Sequence, residues 1–431
     1  DNLARILHQP EKQGAVLQPQ YRWENTGVYV QTAPMWDPDE NLYKLVYGSG
    51  AEPPDLTVED LMMTGVSAPK RGQSFFCYAT SEDGVNWEKP FLELCEYEGY
   101  NYNGKPFGNQ NNIIPNGVTP VRDPNDPDPS RRYKAQNHAD GTRSHTKKFA
   151  ASPDCFTWEW LDVPPIPEGG TSSMTYDEEK GLFIIMVKRR GPFGRAVCVS
   201  TSEDFENWTE AEMVFHADEL DQENGKERLA RFFDDSGYSR PTVNRPKEYK
   251  TDVYQLPVFP YEGLYIGMPV MFHQCGSRPP LYENVDGRKC LELVCSRDLH
   301  NWERVADRAP FIEQSPIGDG SAYDTAQLGT TNRPIVRDDE LWFYYGGYRF
   351  RGITQEQAWN REYLDSSAVC LAKLRLDGFC SLKGGIEPGS VLSTPIQVDG
   401  RELRVNADAW RGSVRAEVID AGDGQPVPGY A

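Results

Sequence analysis

Short apolar runs, each introduced by a polar turn, set the rhythm of this chain. Runs at 42–47, 182–187, 264–268 and 341–345 follow turns at 37–41, 177–180, 261–263 and 338–340. Such runs are too short for buried helices and are bounded by Asp, Glu, Asn and Gly, so they read as strands entered from a tight turn. A fifth unit of this kind is the loop 123–130 leading into residues 131–135. Five such hairpins predict five β-units. Further alternation by two, at 402–406 and 413–418, predicts antiparallel strands with one buried face in a C-terminal module.

Downstream of four of these hairpins the same seven-residue pattern recurs: Ser, any residue, Asp, any three residues, Trp. It occurs as Ser81-Asp83-Trp87, Ser152-Asp154-Trp158, Ser202-Asp204-Trp208 and Ser296-Asp298-Trp302. The Asp carboxylate can take backbone N–H groups in a tight turn, and the Trp can bury its ring between units. After the fifth hairpin a degenerate form ends in Phe379. A fixed motif at unequal intervals is the mark of a repeat whose loops vary in length. The expected fold is all-β: a five-bladed β-propeller over 1–383, followed by a β-sandwich-like module over 384–431. The blades run from 23 to about 90, then to about 165, 212, 312 and 383. The charged stretch 213–250 is expected to be a loop with little regular structure.

Composition narrows the partners. The net charge is −20, which opposes binding to nucleic acid and to anionic membranes. No apolar run reaches membrane-spanning length. Nine cysteines with no Cys-x-x-Cys pattern read as buried thiols, and the six histidines form no zinc-ligand pair. No cofactor is expected, with room left for a structural calcium ion. The chain starts at Asp1, and it is read as secreted or periplasmic with a leader removed.

Two stretches bring a family into view. Residues 296–303, Ser-Arg-Asp-Leu-His-Asn-Trp-Glu, and Arg122-Asp123-Pro124 resemble glycoside hydrolase families 32, 43 and 68, which are five-bladed propellers. The stretch 371–379 is similar to bacterial proteins labelled as family 32-like. The resemblance implies a glycosidase acting on a carbohydrate with two carboxylates at the axial mouth, and a role for Asp123 in stabilising the transition state. The chain departs from family 32 in lacking its Trp-Met-Asn-Asp-Pro-Asn motif and its Glu-Cys pair.

Glycoside hydrolysis needs one carboxyl to protonate the leaving oxygen and one to attack or to activate water. Positions shortly before each inner hairpin give Asp252, Asp324, Glu24, Asp123 and Glu168 as catalytic candidates. Trp23, Asn111, Asn112, Arg195 and Tyr254 are candidates for substrate binding. Asp252 and Asp324 are expected to share one axial pocket, since neither strand offers an obvious cation to neutralise them. Two alternatives stand beside hydrolysis: a carbohydrate-binding propeller without catalysis, and a phosphorylase similar to glycoside hydrolase family 130. The latter would use one acid and a basic phosphate pocket, for which the run His138 to His145, with Arg143, is a candidate.

Overall fold

The computed structural model describes residues 2–25, 27–51, 73–100, 106–115, 118–138, 146–167, 169–278, 282–351, 365–396 and 405–430. The chain forms two compact units, Leu7–Ser381 and a second made of Asp1–Ile6 with Leu382–Ala431. Among the described residues the larger unit is all-β apart from one long helix and a few single turns.

Its strands form antiparallel sheets that follow one another along the chain. Sheet 1 places Val28–Tyr29 and Met35–Asp37 on Leu42–Ala51, then Gln73–Ser81, then Ile113–Ile114. Sheet 2 runs Thr119–Arg122, Tyr133–His138, Thr146–Ser152, Glu159–Trp160, and sheet 3 runs Ser173–Asp177, Leu182–Gly191, Gly194–Ser202, Glu212–Phe215. Sheet 4 is split into two ladders. Lys250–Gln255, Val270–Arg278 and Tyr282–Leu291 form one, and Val258–Tyr261, Leu264–Gly267, Val294–Ser296 and Glu303–Arg304 the other. The break falls at Pro257 and Pro269, which have no N–H for the ladder. Their carbonyls still accept from Met268 and Glu292, at 2.9 and 3.1 Å, so the chains stay side by side through it.

Sheet 5 places Gln327–Thr330 and Ile335–Arg337 on Glu340–Tyr348, then Ser367–Arg375. Its last strand is Glu11–Leu17, from the beginning of the chain. The sequence reading starts the first unit at 23 and leaves this strand unassigned.

The five inner hairpins expected from the apolar pattern are all present as strand–turn–strand pairs. Apolar clusters fill the spaces between successive sheets. Val46, Tyr78, Tyr133 and Ala150 join sheets 1 and 2. Val121, Phe149, Met174 and Ile185 join 2 and 3. Ile184, Val197, Val253 and Tyr265 join 3 and 4, and Phe259, Leu291, Leu341 and Phe343 join 4 and 5. The fifth cluster returns from sheet 5 to sheet 1 through Trp342, Val369, Val28 and Leu45. Each fully buried large apolar side chain contributes about 1.5–3 kcal/mol.

The four Ser-Asp-Trp turns share one geometry. In each, the Ser hydroxyl meets the Asp carboxylate at 3.0 Å. The same carboxylate accepts the backbone N–H groups two and three residues on, at 2.7–3.0 Å. The residue after the Asp is left-handed every time, with φ of 75° at Gly84, 79° at Cys155, 66° at Phe205 and 68° at Leu299. Three of the four positions hold side chains other than glycine, so the carboxylate bonds offset the strain of that conformation. Trp87, Trp158, Trp208 and Trp302 each pack into the cluster between their own sheet and the one before it. Phe379 does the same between sheets 4 and 5.

Two expectations are corrected. The stretch 213–250 contains a 16-residue helix, Glu219–Asp234, not an irregular loop. Asp218 caps it: its carboxylate accepts from Asp221 N at 3.1 Å, and Asp221 returns the bond at 3.0 Å. Asp221, Gly225, Leu229 and Phe232 form the buried face. Gly225 lies so close to sheet 4 that a Cβ there would meet Thr251 Oγ1 at 2.0 Å. The second correction concerns the strand expected over 413–418. Residues 413–418 form no strand, and the described residues beyond 385 hold only one isolated bridge, Ile419 with Pro426. Val405, Val414 and Val418 are all exposed, so the alternation has no buried face to make a strand worth forming. Of the other predicted strand, residues 402–404 lie outside the described residues.

Candidate functional site

Each described carboxylate singled out from sequence already has partners of its own. Glu24 is completely buried and accepts from Lys89 Nζ at 2.8 Å, the Tyr47 hydroxyl at 2.5 Å and the backbone N–H of Gln20 at 2.7 Å. Trp23 belongs to the same network. Its indole N–H donates to Asn112 Oδ1 at 2.8 Å, and Asn112 donates to the Tyr47 hydroxyl at 2.7 Å. Asn111 braces a turn through the Cys95 carbonyl, at 2.7 Å. These four hold the core of sheet 1 together, and a carboxylate so fully occupied is not poised to react.

Asp123 has a similar structural use. It ends the first strand of sheet 2 and pairs with Lys134 on the next strand. Asp37 makes the equivalent pair with Lys44 at 2.7 Å in sheet 1, and also accepts from Tyr133 of sheet 2 at 2.7 Å. Asp177 of sheet 3 accepts from Tyr265 of sheet 4 at 2.9 Å. The hairpin aspartates thus lock neighbouring sheets, which gives Asp123 a repeat role.

Asp324 pairs with Lys12 at 2.7 Å and accepts from the Tyr345 hydroxyl at 2.9 Å. It lines a cavity with Lys12, Ser315, Tyr323, Tyr345 and Cys370, on the side of sheet 5 where the N-terminal strand is added. Asp252 sits elsewhere, on the first strand of sheet 4. Arg195 NH1 lies 3.0 and 3.2 Å from its two oxygens, and Arg195 N donates at 3.2 Å. The loop reaches Asp252 this closely because Gly194 is there, at φ 113°; a Cβ would stand 2.9 Å from the carboxylate. Each aspartate therefore has a cation, from another strand, that inspection of its own strand could not reveal. Glu168 and residues 139–145 lie outside the described residues.

The strongest concentration of chemistry surrounds Tyr254. In sheet 4, Asp252, Phe272 and Lys289 are consecutive partners across three strands, so they share one face. Lys289 Nζ lies 3.6 Å from the Tyr254 ring centroid, Lys188 Nζ 4.1 Å and Arg195 Cζ 5.6 Å. Arg351 Cζ lies 5.3 Å from the Phe272 ring, which meets Tyr254 edge-on at 6.1 Å. Sheets 3 and 4 thus each contribute a cation, and the segment after the Glu340–Tyr348 strand adds Arg351. Lys188 and Lys289 are buried at 6 and 7% exposure, while Tyr254 stays partly open to solvent.

This arrangement reverses the usual state of a buried phenol. Lys289 first, with Lys188 and Arg351 behind it, outweighs burial and draws the Tyr254 hydroxyl down to about 7; the Thr171 side chain adds a hydrogen bond. Burial pushes the Lys289 ammonium below the usual lysine range, and Tyr254 opposes that shift. Among the described residues, no carboxylate forms an ion pair with Lys289. A buried phenol with cations against its ring ionises more readily than a free tyrosine.

Arg195 and Tyr254 were reached from sequence; Lys188, Lys289, Arg351 and Phe272 were not. Their one sequence signal is a cation inside or at the end of an apolar strand, as in residues 182–190 and 288–293.

No protein-family model and no curated protein matches the chain. Several solved structures resemble it. A glycoside hydrolase aligns over 89% of this chain and 96% of its own, at 13% identity and a TM-score of 0.47. The beta-1,2-mannobiose phosphorylase from Listeria innocua, complexed with beta-1,2-mannobiose, aligns over 88% and 98%, at 10% identity and a TM-score of 0.46. A glycosyl hydrolase from Bacteroides ovatus aligns over 86% and 94%, at 10% identity and a TM-score of 0.44.

Proposed function

We propose that the five sheets are the blades of one five-bladed propeller, and that this protein is a carbohydrate-active enzyme acting on a saccharide that bears an oxyanion. The propeller reading is supported by the cluster that packs sheet 5 onto sheet 1 and by the N-terminal strand that completes sheet 5. The functional reading rests on one observation: Lys289, Lys188 and Arg195 lie against the Tyr254 ring, with Arg351 against the neighbouring Phe272 ring. Lys289, which has no carboxylate partner among the described residues, offers a substrate carboxylate or phosphate an ion pair that a neutral sugar does not make.

Hydrolysis by paired carboxylates is less favoured, since Asp252 and Asp324 are each already neutralised by a cation, Arg195 and Lys12. Phosphorolysis is the second reading. It is favoured by a single carboxylate, Asp252, standing beside the same cations.

Calorimetric titration distinguishes these. Uronic-acid oligosaccharides are expected to bind the wild type, with binding weakened at least tenfold in Lys289→Met, while neutral oligosaccharides of equal length bind poorly. Equal binding of neutral and anionic oligosaccharides, unchanged in Lys289→Met, would overturn the oxyanion reading. Tight binding of inorganic phosphate together with a neutral oligosaccharide, yielding a sugar phosphate, would select phosphorolysis.

A further inference from the structure

The cavity on sheet 5 has no part in the oxyanion reading, and its walls share no residue with the Tyr254 cluster. Its volume is about 400 Å³, within the roughly 300–1,000 Å³ usual for small-molecule sites. The N-terminal strand makes the room. Glu11–Leu17 slips register twice against Ser367–Arg375, between Lys12 and Gly14 and between Ala15 and Leu17. Such bulges bend a strand and re-aim its side chains. Gly14 sits at φ 84°, and a Cβ there would meet nothing within 4 Å, so the strand leaves open space beside it. Exposed Gly14, Gln18 and Ser321 rim the opening.

The charges in this cavity are already balanced. The Lys12 ammonium donates to the Glu313 carbonyl at 2.5 Å, to the Ser315 hydroxyl at 2.9 Å and to Asp324 Oδ2 at 2.7 Å, which uses all three of its N–H groups. An anion therefore finds no free donor on Lys12, and a cation finds a carboxylate already paired. Acceptors remain. Asp324 is only 3% exposed, and its Oδ2 takes both the lysine and the Tyr345 hydroxyl, the latter at 2.9 Å. Among the described residues, Oδ1 takes no hydrogen bond. The Tyr345 oxygen keeps its lone pairs once its proton is given to Asp324. The walls are fixed in advance: Ser315 N donates to the Asp324 carbonyl at 3.2 Å, and the Tyr323 hydroxyl donates to Asp365 at 2.9 Å. Ala15, Ala322 and Cys370 add apolar surface.

A cavity with acceptors to spare and no net charge suits a ligand that brings hydrogen-bond donors without charge. We propose that it binds one neutral sugar or polyol unit. Adjacent hydroxyls of the ligand donate to Asp324 Oδ1 and to the Tyr345 oxygen, and its C–H face lies against Ala15, Ala322 and Cys370. Lys12 holds the carboxylate in place without competing for the ligand. A buried carboxylate oxygen without a donor is costly, and a ligand hydroxyl supplies one. The site binds and does not cleave, because Asp324 is held as a carboxylate by Lys12 and has no proton to give. It goes beyond the oxyanion reading: the Tyr254 cluster selects a charged group, and this cavity selects hydroxyls.

The test uses the full chain with glucose, galactose, mannose and sorbitol, followed by ligand-observed NMR and calorimetry. At least one is expected to bind with a dissociation constant on the order of 1 mM, the strength within reach of a ligand of this size. Ala322→Leu keeps the ion pair and fills the cavity, and is expected to abolish that binding with unchanged circular dichroism. Asp324→Asn turns one acceptor into a donor and is expected to weaken it by about tenfold or more, the worth of a hydrogen bond to a charged group. If Asp324→Asn does not fold, Ala322→Leu decides alone. Lys289→Met is expected to leave polyol binding unchanged, and Ala322→Leu to leave uronate binding unchanged, so either site can fail without the other. The proposal is overturned if none of the four ligands binds the wild type. It is equally overturned if binding survives in folded Ala322→Leu, or is lost in Lys289→Met.

Discussion

The outer turns and the Tyr254 pocket use charged side chains in opposite ways. At Asp83, Asp204 and Asp298 the carboxylate is spent on backbone N–H groups within its own turn, and those bonds hold it far below the usual carboxylate range. Around Tyr254 the charges come from sheets 3 and 4 and act on a ring that none of them neighbours in sequence. The first arrangement repeats because each turn solves the same local problem. The second occurs once because binding and reacting with a ligand is a problem of the whole molecule. Repetition marks the frame, and the place where charge gathers without repetition marks the site.

This contrast can be broken at several points. The largest structural effect is expected at Glu24. Replacing it with Ala leaves Lys89 buried without its anion, so stability should fall by about 3–5 kcal/mol in denaturant titration. A loss below about 1 kcal/mol would remove the reason for treating Glu24 as framework. At Arg195, replacement by Met strips Asp252 of its cation. About 2–4 kcal/mol should be lost, less than at Glu24 because the guanidinium is partly exposed. Uronate binding should weaken in the same variant, whereas in Glu24→Gln it should not change.

A smaller effect is expected at the turns. Asp298→Ala removes the acceptor for His300 N and Asn301 N and should lower the denaturation midpoint slightly, with saccharide binding unaltered. A change in binding there would erase the distinction between frame and site.

The smallest effect concerns acid. Arg308 holds the helix-capping Asp218 carboxyl down to about 2. A carboxyl lowered on folding stabilises the native state fully above its unfolded value, near 3.8, and less as pH falls toward 2. Asp218→Asn should therefore lower stability modestly at neutral pH and flatten the acid transition between those values, with the two proteins converging near pH 2.

The sequence exposed the frame more fully than the site, for physical reasons. A strand pattern and a turn motif are local, so 42–47 or Ser296-Asp298-Trp302 can be recognised from their own residues. The helix Glu219–Asp234 was hidden because its capping Asp218 and Asp221 sit in a run of charge, and because Gly225, needed for close approach to Thr251, reads as a helix breaker. Asp252, Arg195 and Tyr254 were within reach, as polar groups on otherwise apolar strands. Lys188 and Lys289 lie about a hundred residues apart and meet only when sheets 3 and 4 pack, so no spacing rule could pair them.

The most direct test of the pocket is an ultraviolet titration of phenol ionisation in the wild type and in Tyr254→Phe. With Lys289, Lys188 and Arg351 stabilising the phenolate, one tyrosine should ionise near pH 7 in the wild type and be missing from the variant. If the two proteins titrate alike, with no phenol ionising below the ordinary tyrosine range of about 10, the cations do not act on Tyr254 and the site proposed around it is wrong.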